Sequence, residues 1–86
     1  MYNIQPINVG FGTLIKQATK ISFQYGYTAN MTQMPFVATY MDDDLNILAS
    51  LQMMVDSQTL AGWGSDDSYI INAMANIAQV TITGQV

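Results

Sequence analysis

Alternation of apolar and mixed positions over residues 45–55 is the clearest pattern along the chain. The even positions combine Leu48 and Met54 with polar residues such as Ser50 and Gln52. A period of two residues is typical of a β-strand, because successive side chains point to opposite faces. We therefore predict a strand that buries its odd face and presents a second, partly apolar face. The apolar odd positions are Leu45, Ile47, Ala49, Leu51, Met53 and Val55.

Shorter stretches with the same period predict two more strands. Residues 17–27 alternate, and residues 36–41 alternate after Pro35. The apolar side of the first stretch carries Ile21, Phe23, Tyr25 and Tyr27.

Both ends of the chain also favour extended structure. Residues 3–9 are rich in β-branched side chains, but Pro6 lacks the N–H that a ladder needs, which favours an edge position. We predict an edge strand or a free N-terminal arm within residues 1–12. Residues 80–86 alternate again and are predicted to form a short C-terminal strand or arm.

A helix is predicted over residues 66–78. Ser65 suits the N-cap position, and Asp66 and Asp67 would lie in the first turn, where carboxylates oppose the partial positive charge of unpaired N–H groups. An apolar stripe follows at helical spacing. Its members are Ile70, Ala73, Met74 and Ile77. We expect this stripe to lie on the odd face of the strand at 45–55.

Together these elements predict an α+β fold. It is a small antiparallel β-meander of about four strands, with one C-terminal amphipathic helix packed on one face and extended terminal arms. The 86 residues suit a single small domain spanning 1–86.

The charge content changes the functional picture. Charged residues make up 9% of the chain, all acids are Asp, and Glu, Arg, His and Cys do not occur. The residue types that carry most acid/base and thiol chemistry are missing, so we expect a non-enzymatic protein without a cofactor. Lys16 and Lys20 are the only cations in a chain of net charge −4, which disfavours binding to a phosphate backbone. No apolar run approaches the roughly 18 residues of a membrane span, and no signal peptide is evident, so no membrane partner is expected.

The acids at 42–46 allow two interpretations. Asp42, Asp44 and Asn46 match the first ligands of a calcium loop, but Ile47 stands where that loop needs Gly, and Met53 where it needs Glu. The same residues make tight turns through side-chain to backbone hydrogen bonds. We favour a hairpin turn and keep the three residues as candidate metal ligands.

The second face of the predicted sheet is the candidate interface. Val37, Met41, Leu48 and Met54 would lie on it together. Methionine suits contact surfaces, and an exposed apolar patch on a small protein often marks an interaction site. We therefore expect self-association through this face.

Trp63 offers an alternative function. Standing between two glycines, it could stack on a sugar or peptide ring, with Tyr25, Tyr27 and Tyr40 as a neighbouring strip. The chain would then be a small glycan- or peptide-binding module. We favour the other interpretation, in which Trp63 closes the core beneath the start of the helix.

A further indication comes from the order of several short segments. They are Ile-Gln-Pro-Ile at 4–7, Gly-Phe-Gly at 10–12, a strand ending in Tyr-Met-Asp at 40–42, a hairpin to a second long strand, and Trp-Gly-Ser-Asp-Asp-Ser-Tyr-Ile at 63–70. This order resembles small virion structural proteins of tailed bacteriophages. The resemblance implies a capsid decoration protein or a head or tail fibre attachment subunit, located in the virion after assembly in the bacterial cytoplasm. Its partners would be copies of itself and other virion proteins, with no catalytic residues.

Overall fold

Five strands and two helices follow one another along the described part of the chain. The computed structural model describes residues 1–11, 14–26, 32–64 and 66–86, with the backbone alone at 11 and 14. This outline confirms the antiparallel α+β class. The elements are β1 (Tyr2–Phe11), β2 (Leu14–Tyr25), β3 (Met34–Met41), β4 (Ile47–Val55), α1 (Ser57–Ala61), α2 (Asp67–Ile77) and β5 (Ile82–Gln85).

The strands form one antiparallel sheet in the order β4-β3-β2-β1-β5. The two ends of the chain are therefore strands of the sheet, not free arms. β1 lies between β2 and β5, so the prediction of an edge position from Pro6 was wrong. The pairing of β1 with β2 shifts between Asn3 and Ile7, and Pro6 lies within this irregular stretch, where no regular ladder bond is required of it.

The N-terminal hairpin extends beyond the rest of the sheet. β2 pairs with β3 only from Lys20 to Tyr25, and residues 14–19 continue with β1 as a two-stranded ribbon. The molecule measures 42 × 26 × 16 Å, and its radius of gyration of 13.5 Å exceeds the roughly 12 Å of a compact chain this long. β1 also approaches β4 although two strands separate them, so the sheet is strongly curled.

The core lies on the face of the sheet that carries Phe36, which we call the inner face. Alternate side chains of β3 are at most 3% exposed, and α2 packs on them through Ile70 and Met74, both fully buried. Phe23 meets Phe36 edge-on, with ring centroids 5.9 Å apart. The buried row of β3 is Met34, Phe36, Ala38 and Tyr40.

The odd face of β4 is less buried than predicted. Val55 is fully buried, but Leu51 is 50% exposed and Ile47 is 68% exposed. A β-bulge accounts for the exposure of Ile47. The register of β4 against β3 shifts at Leu48, so Ile47 pairs with Met41, which lies on the outer face of the sheet, opposite the inner face. Leu51 stays on the inner face but lies on the edge strand. The predicted helical stripe is also rotated, since Ile77 is 38% exposed and Ala75 is buried in its place.

Carboxylates start both helices. Asp56 caps α1 by accepting the N–H of Thr59 at 2.7 Å. Asp66 is the N-cap of α2 and accepts both the N–H and the hydroxyl of Ser68. Asp67 lies in the first turn, as predicted, whereas Asp66, predicted to lie in that turn too, is the N-cap, because its extended backbone lets the carboxylate accept the N–H of Ser68. The predicted cap Ser65 lies outside the described residues.

The end of α2 forms a Schellman motif. The N–H of Val80 donates to the carbonyl of Ala75 at 3.0 Å, and that of Gln79 donates to Asn76 at 3.1 Å. This geometry places Gln79 at φ 59°, in the left-handed region that favours glycine. The turn directs the chain into β5.

We predict that Gln79→Gly stabilises the fold by about 0.5–1 kcal/mol, since relief of the left-handed strain exceeds the added entropy of the unfolded chain. Gln79→Ala is the matched control, because it removes the same side chain but keeps the Cβ. Urea unfolding should place the glycine variant above wild type and the alanine variant at or below it. Equal midpoints for the two variants would contradict the assignment of strain to Gln79.

Candidate interaction surface

The outer face of the sheet, opposite the core, is neutral and mixed in character over β3 and β4. Pairing places Val37 opposite Gln52, and Pro35 opposite Met54. Met54 is 45% exposed and Val37 is half-buried. This surface therefore combines apolar contact area with uncharged hydrogen-bonding groups. One such pair is formed within it, since the Ser50 hydroxyl donates to Thr39 Oγ1 at 3.3 Å.

The four residues proposed for an interface do not share this surface equally. Val37 and Met54 lie on it, whereas Met41 is only 5% exposed. Leu48 is half-buried and packs against the core. The bulge in β4 accounts for Leu48, because an extra residue in one strand reverses the alternation at that point. Alternation read from the sequence alone does not reveal such a shift.

Exposed apolar side chains are concentrated on β4 and the turn before it. Leu45, Ile47, Leu51 and Met54 are each between 45% and 68% exposed. β4 itself, Ile-Leu-Ala-Ser-Leu-Gln-Met-Met-Val, contains no charged residue. Among the described strands it lies at one end of the sheet and has β3 as its single neighbour. This edge, which sequence reasoning did not identify, adjoins the outer face.

The acids before β4 form a hairpin turn. Asp42 Oδ1 accepts the N–H groups of Asp44 and Asn46, each at 2.9 Å, and its Oδ2 accepts the Asn46 side-chain amide at 3.1 Å. The N–H of Leu45 closes a turn on the Asp42 carbonyl, and Leu45 takes φ 66°. Within the described residues, no cluster of three or more acidic, His or Cys side chains is placed to hold a metal ion. The geometry of Asp42, Asp44 and Asn46 is therefore that of a turn.

Asp43 connects this turn to β2. It accepts the hydroxyl of Thr19 at 2.6 Å and lies 3.9 Å from the ammonium group of Lys20. The same ammonium group donates to Asn3 at 3.2 Å. Lys20 is thus engaged within the sheet.

Trp63 lies at the junction of the two helices. It is half-buried and packs against the core, and its indole N–H donates to the Asp66 carbonyl at 3.2 Å. Tyr25 contacts it edge-on, with centroids 6.4 Å apart. The ring thus packs where the core closes at the start of α2.

The tyrosines do not form one strip. Tyr40 is buried, and its burial raises the pKa of its hydroxyl. Tyr25 is 37% exposed, and burial, followed by the charge of Asp67, raises its pKa. Tyr27 lies outside the described residues. A ring-stacking site would therefore rest on Tyr25 and the accessible part of Trp63.

Two open grooves flank α2. One, of about 350 Å³, lies against α1 and is lined by Tyr69, Asn72 and Asn76 among others. The second, of about 380 Å³, lies against β5 and includes Tyr2 and Asp67. Neither groove brings two carboxylates together in the described part of the chain, and general acid/base catalysis needs paired groups in distinct environments.

No protein-family model, curated protein or solved structure matches the chain. In the described ranges, neither helix is long and apolar enough to cross a membrane.

We predict that acid destabilises the fold through Asp42, Asp56 and Asp66. Hydrogen bonds from Asn46, Thr59 and Ser68, respectively, lower the pKa of these carboxyls below the ordinary 3.8. Their stabilising effect is complete above that value and is lost as the pH falls through the lowered values. The urea midpoint should therefore fall from pH 5 to pH 2.

The triple variant Asp42→Asn, Asp56→Asn, Asp66→Asn should flatten this pH dependence. Asp44→Asn, which removes one charge from the same turn but leaves the bonds to Asp42 in place, should retain most of it. An unchanged slope in the triple variant would show that other groups control the acid transition.

The contact between the two helices gives a further prediction. The Tyr69 hydroxyl donates to the Thr59 carbonyl at 2.8 Å, and a Cβ added to Gly62 would lie 2.5 Å from that hydroxyl oxygen. Gly62→Ala should therefore displace the ring and cost about 1 kcal/mol, the value of one hydrogen bond.

Gly64→Ala is the control, because an added Cβ there meets nothing within 4 Å. In a Tyr69→Phe background, Gly62→Ala should cost clearly less, since the clashing oxygen is gone. Thermal unfolding of the four proteins in this cycle measures the coupling. Simple additivity would show that the Tyr69 hydroxyl does not constrain Gly62.

Proposed function

We propose that this chain is a non-enzymatic structural subunit of a bacteriophage particle, acting in capsid decoration or in attachment of head or tail fibres. It works by packing against copies of itself and against other virion proteins. The observation that carries the proposal is the concentration of exposed apolar side chains on an uncharged strand, β4. The phage context rests on the segment resemblance described above.

The two faces of the sheet support a structural role. In this proposal α2 is the C-terminal amphipathic helix that covers the inner face, with Ile70 and Met74 fully buried beneath it. The outer face is then left for contact, with Met54 and Val37 among neutral polar residues. An interface with an apolar centre and a polar, uncharged surround fits such a surface.

The low charge supports the same role. A soluble domain carries about 25% charged residues, against 9% here. Most of the charge serves the turn at 42–46 and the two helix caps. A surface of this kind is weakly hydrated and weakly self-repelling. Burial in an assembly would remove this weakly hydrated surface from water.

The glycan- or peptide-binding alternative has less support from the geometry. Tyr40 is buried, and Trp63 packs against the core and donates to Asp66. Titration with glycan panels should leave Trp63 fluorescence unchanged if the structural proposal holds. Saturable quenching, abolished by Tyr25→Ala, would favour the binding module instead.

The direct test of the proposal is the content of purified particles. Phage particles banded on a density gradient, from lysates of the bacterium that carries the gene, should contain this chain in a fixed ratio to the major capsid protein. Quantitative mass spectrometry measures that ratio. Recovery of the chain only in the soluble fraction would contradict the proposal.

We predict that Met54→Asp reduces incorporation into particles about tenfold, equivalent to about 1.4 kcal/mol of binding free energy. The added carboxylate would have to be desolvated on the outer face. Ile77→Asp is the matched control, because Ile77 is exposed to a similar extent, 38% against 45%, but lies on α2. Competition between tagged variants and wild type during assembly measures the effect. Equal incorporation of both variants would show that the outer face is not part of the interface.

A further inference from the structure

β4 has no neighbour on one side among the described residues, and this edge is unusually open to strand pairing. Natural edge strands are protected by charged residues, proline, bulges or short length. β4 has nine residues and carries no charge and no proline. Its one protective feature is the irregularity at Leu48, which leaves residues 49–55 in regular register with β3. The opposite edge of the sheet differs, since β5 has only four residues, one of them Gly84.

We propose that β4 pairs antiparallel with β4 of a second copy, about a twofold axis through Leu51, so that the sheets of two molecules become continuous. The inference rests on the proposed structural role and specifies the contact that joins like subunits. In an antiparallel pair, directly opposed residues share a face of the sheet. A strand paired with itself therefore brings inner face to inner face and outer face to outer face.

The sequence of β4 is self-complementary in this register. Leu51, half-exposed in the monomer, meets its own symmetry copy on the inner face. Ala49 meets Met53, a small residue opposite a large one on the same face. On the outer face Ser50 meets Gln52, so polar side chains oppose polar ones. Cross-strand pairs of this kind are the main source of sheet stabilisation.

The charges flanking β4 are compatible with this axis. Asp56 is the N-cap of α1, and Asp44 lies in the turn before β4, so neither belongs to the paired segment. Residues 49–53 of each copy pair without placing any charge opposite another, so two chains of net charge −4 can approach along this edge. A shift of the axis to Gln52 would instead place Ser50 opposite Met54, a polar residue opposite an apolar one.

The size of the contact sets the expected affinity. The regular part of β4, residues 49–55, is about 24 Å long, and pairing of a single edge buries less than the roughly 800 Å² per partner of a standard interface. We therefore expect a dimer that forms in the micromolar range in solution. In a particle, contacts with neighbouring subunits raise the effective concentration of the two strands and so strengthen the pairing.

Sedimentation velocity over low to high micromolar concentration tests the edge. Wild type should shift from monomer to dimer, and Leu51→Lys should weaken dimerisation at least about tenfold, because two ammonium groups would meet at the axis. Ile15→Lys is the matched control, since Ile15 is 62% exposed on the N-terminal hairpin and should leave dimerisation unchanged. A wild type that stays monomeric throughout, or equal effects of both variants, would overturn the proposal.

Cysteine substitution tests the axis, because the natural chain contains no cysteine. With oxidised glutathione as the oxidant, two copies of Leu51→Cys should join in one disulfide, each thiol giving up its proton and the oxidant being reduced. Ala49→Cys mixed with Met53→Cys should cross-link better than either alone. Faster cross-linking of Gln52→Cys than of Leu51→Cys would overturn the axis at Leu51.

Failure here is distinguishable from failure of the proposed function. A monomeric chain that is still incorporated into purified particles would overturn strand pairing and leave the structural role intact. A chain that dimerises through β4 but is missing from particles would support the pairing and contradict the particle role. If β4 pairs with a different protein, Leu51→Lys should reduce incorporation into particles although the chain does not self-associate. That result would overturn the proposal that the partner of β4 is a second copy of this chain.

Discussion

Burial of the inner row of β3 is the constraint from which the rest of the structure follows. Phe36 and the other inner-face residues of β3 must be buried by the neighbouring strands and by a helix packed on the sheet, since exposing one large apolar side chain costs about 1.5–3 kcal/mol. β2 and β4 flank β3 in the sheet, and Ile70 and Met74 of α2 join the same core cluster, with α2 also in contact with β4. Among the described strands β4 has a neighbour on one side only, so Leu51 on its inner face and Met54 on its outer face both stay about half-exposed. The position of β4 at the end of the sheet accounts for the open edge.

The carboxylates show a second constraint, the need to start turns and helices in a chain with few charges. Asp42, Asp56 and Asp66 each accept hydrogen bonds from N–H groups close in sequence. These bonds satisfy donors that a short helix or tight turn leaves unpaired. Negative charge is therefore placed at the ends of elements, and the surfaces of β3 and β4 between them stay neutral. A neutral surface can be dehydrated at low cost, which suits contact with another protein.

Local patterns in the sequence predicted what short-range physics determines. The strands around Phe23, Phe36 and Met53, the turn at Asp42 and the acidic start of α2 follow from periodicity and capping. The place of β1 inside the sheet did not follow, because its partner β5 is remote in sequence. The burial of Leu48 depends on a one-residue shift against β3. The candidate edge was missed because strand order is set by tertiary pairing.

The pairing of β1 with β5 brings the two ends of the chain together, and Val86 donates to the carbonyl of Met1 at 3.2 Å. β1 is synthesised long before β5, so one side of β1 stays unpaired while the intervening chain emerges. Contacts between such remote segments form late, because closing a long loop costs entropy first. Until β5 emerges, the sheet therefore ends in β1, an edge of ten residues, where the finished sheet ends in a strand of four. The last segment of the chain thus closes the longer of the two edges.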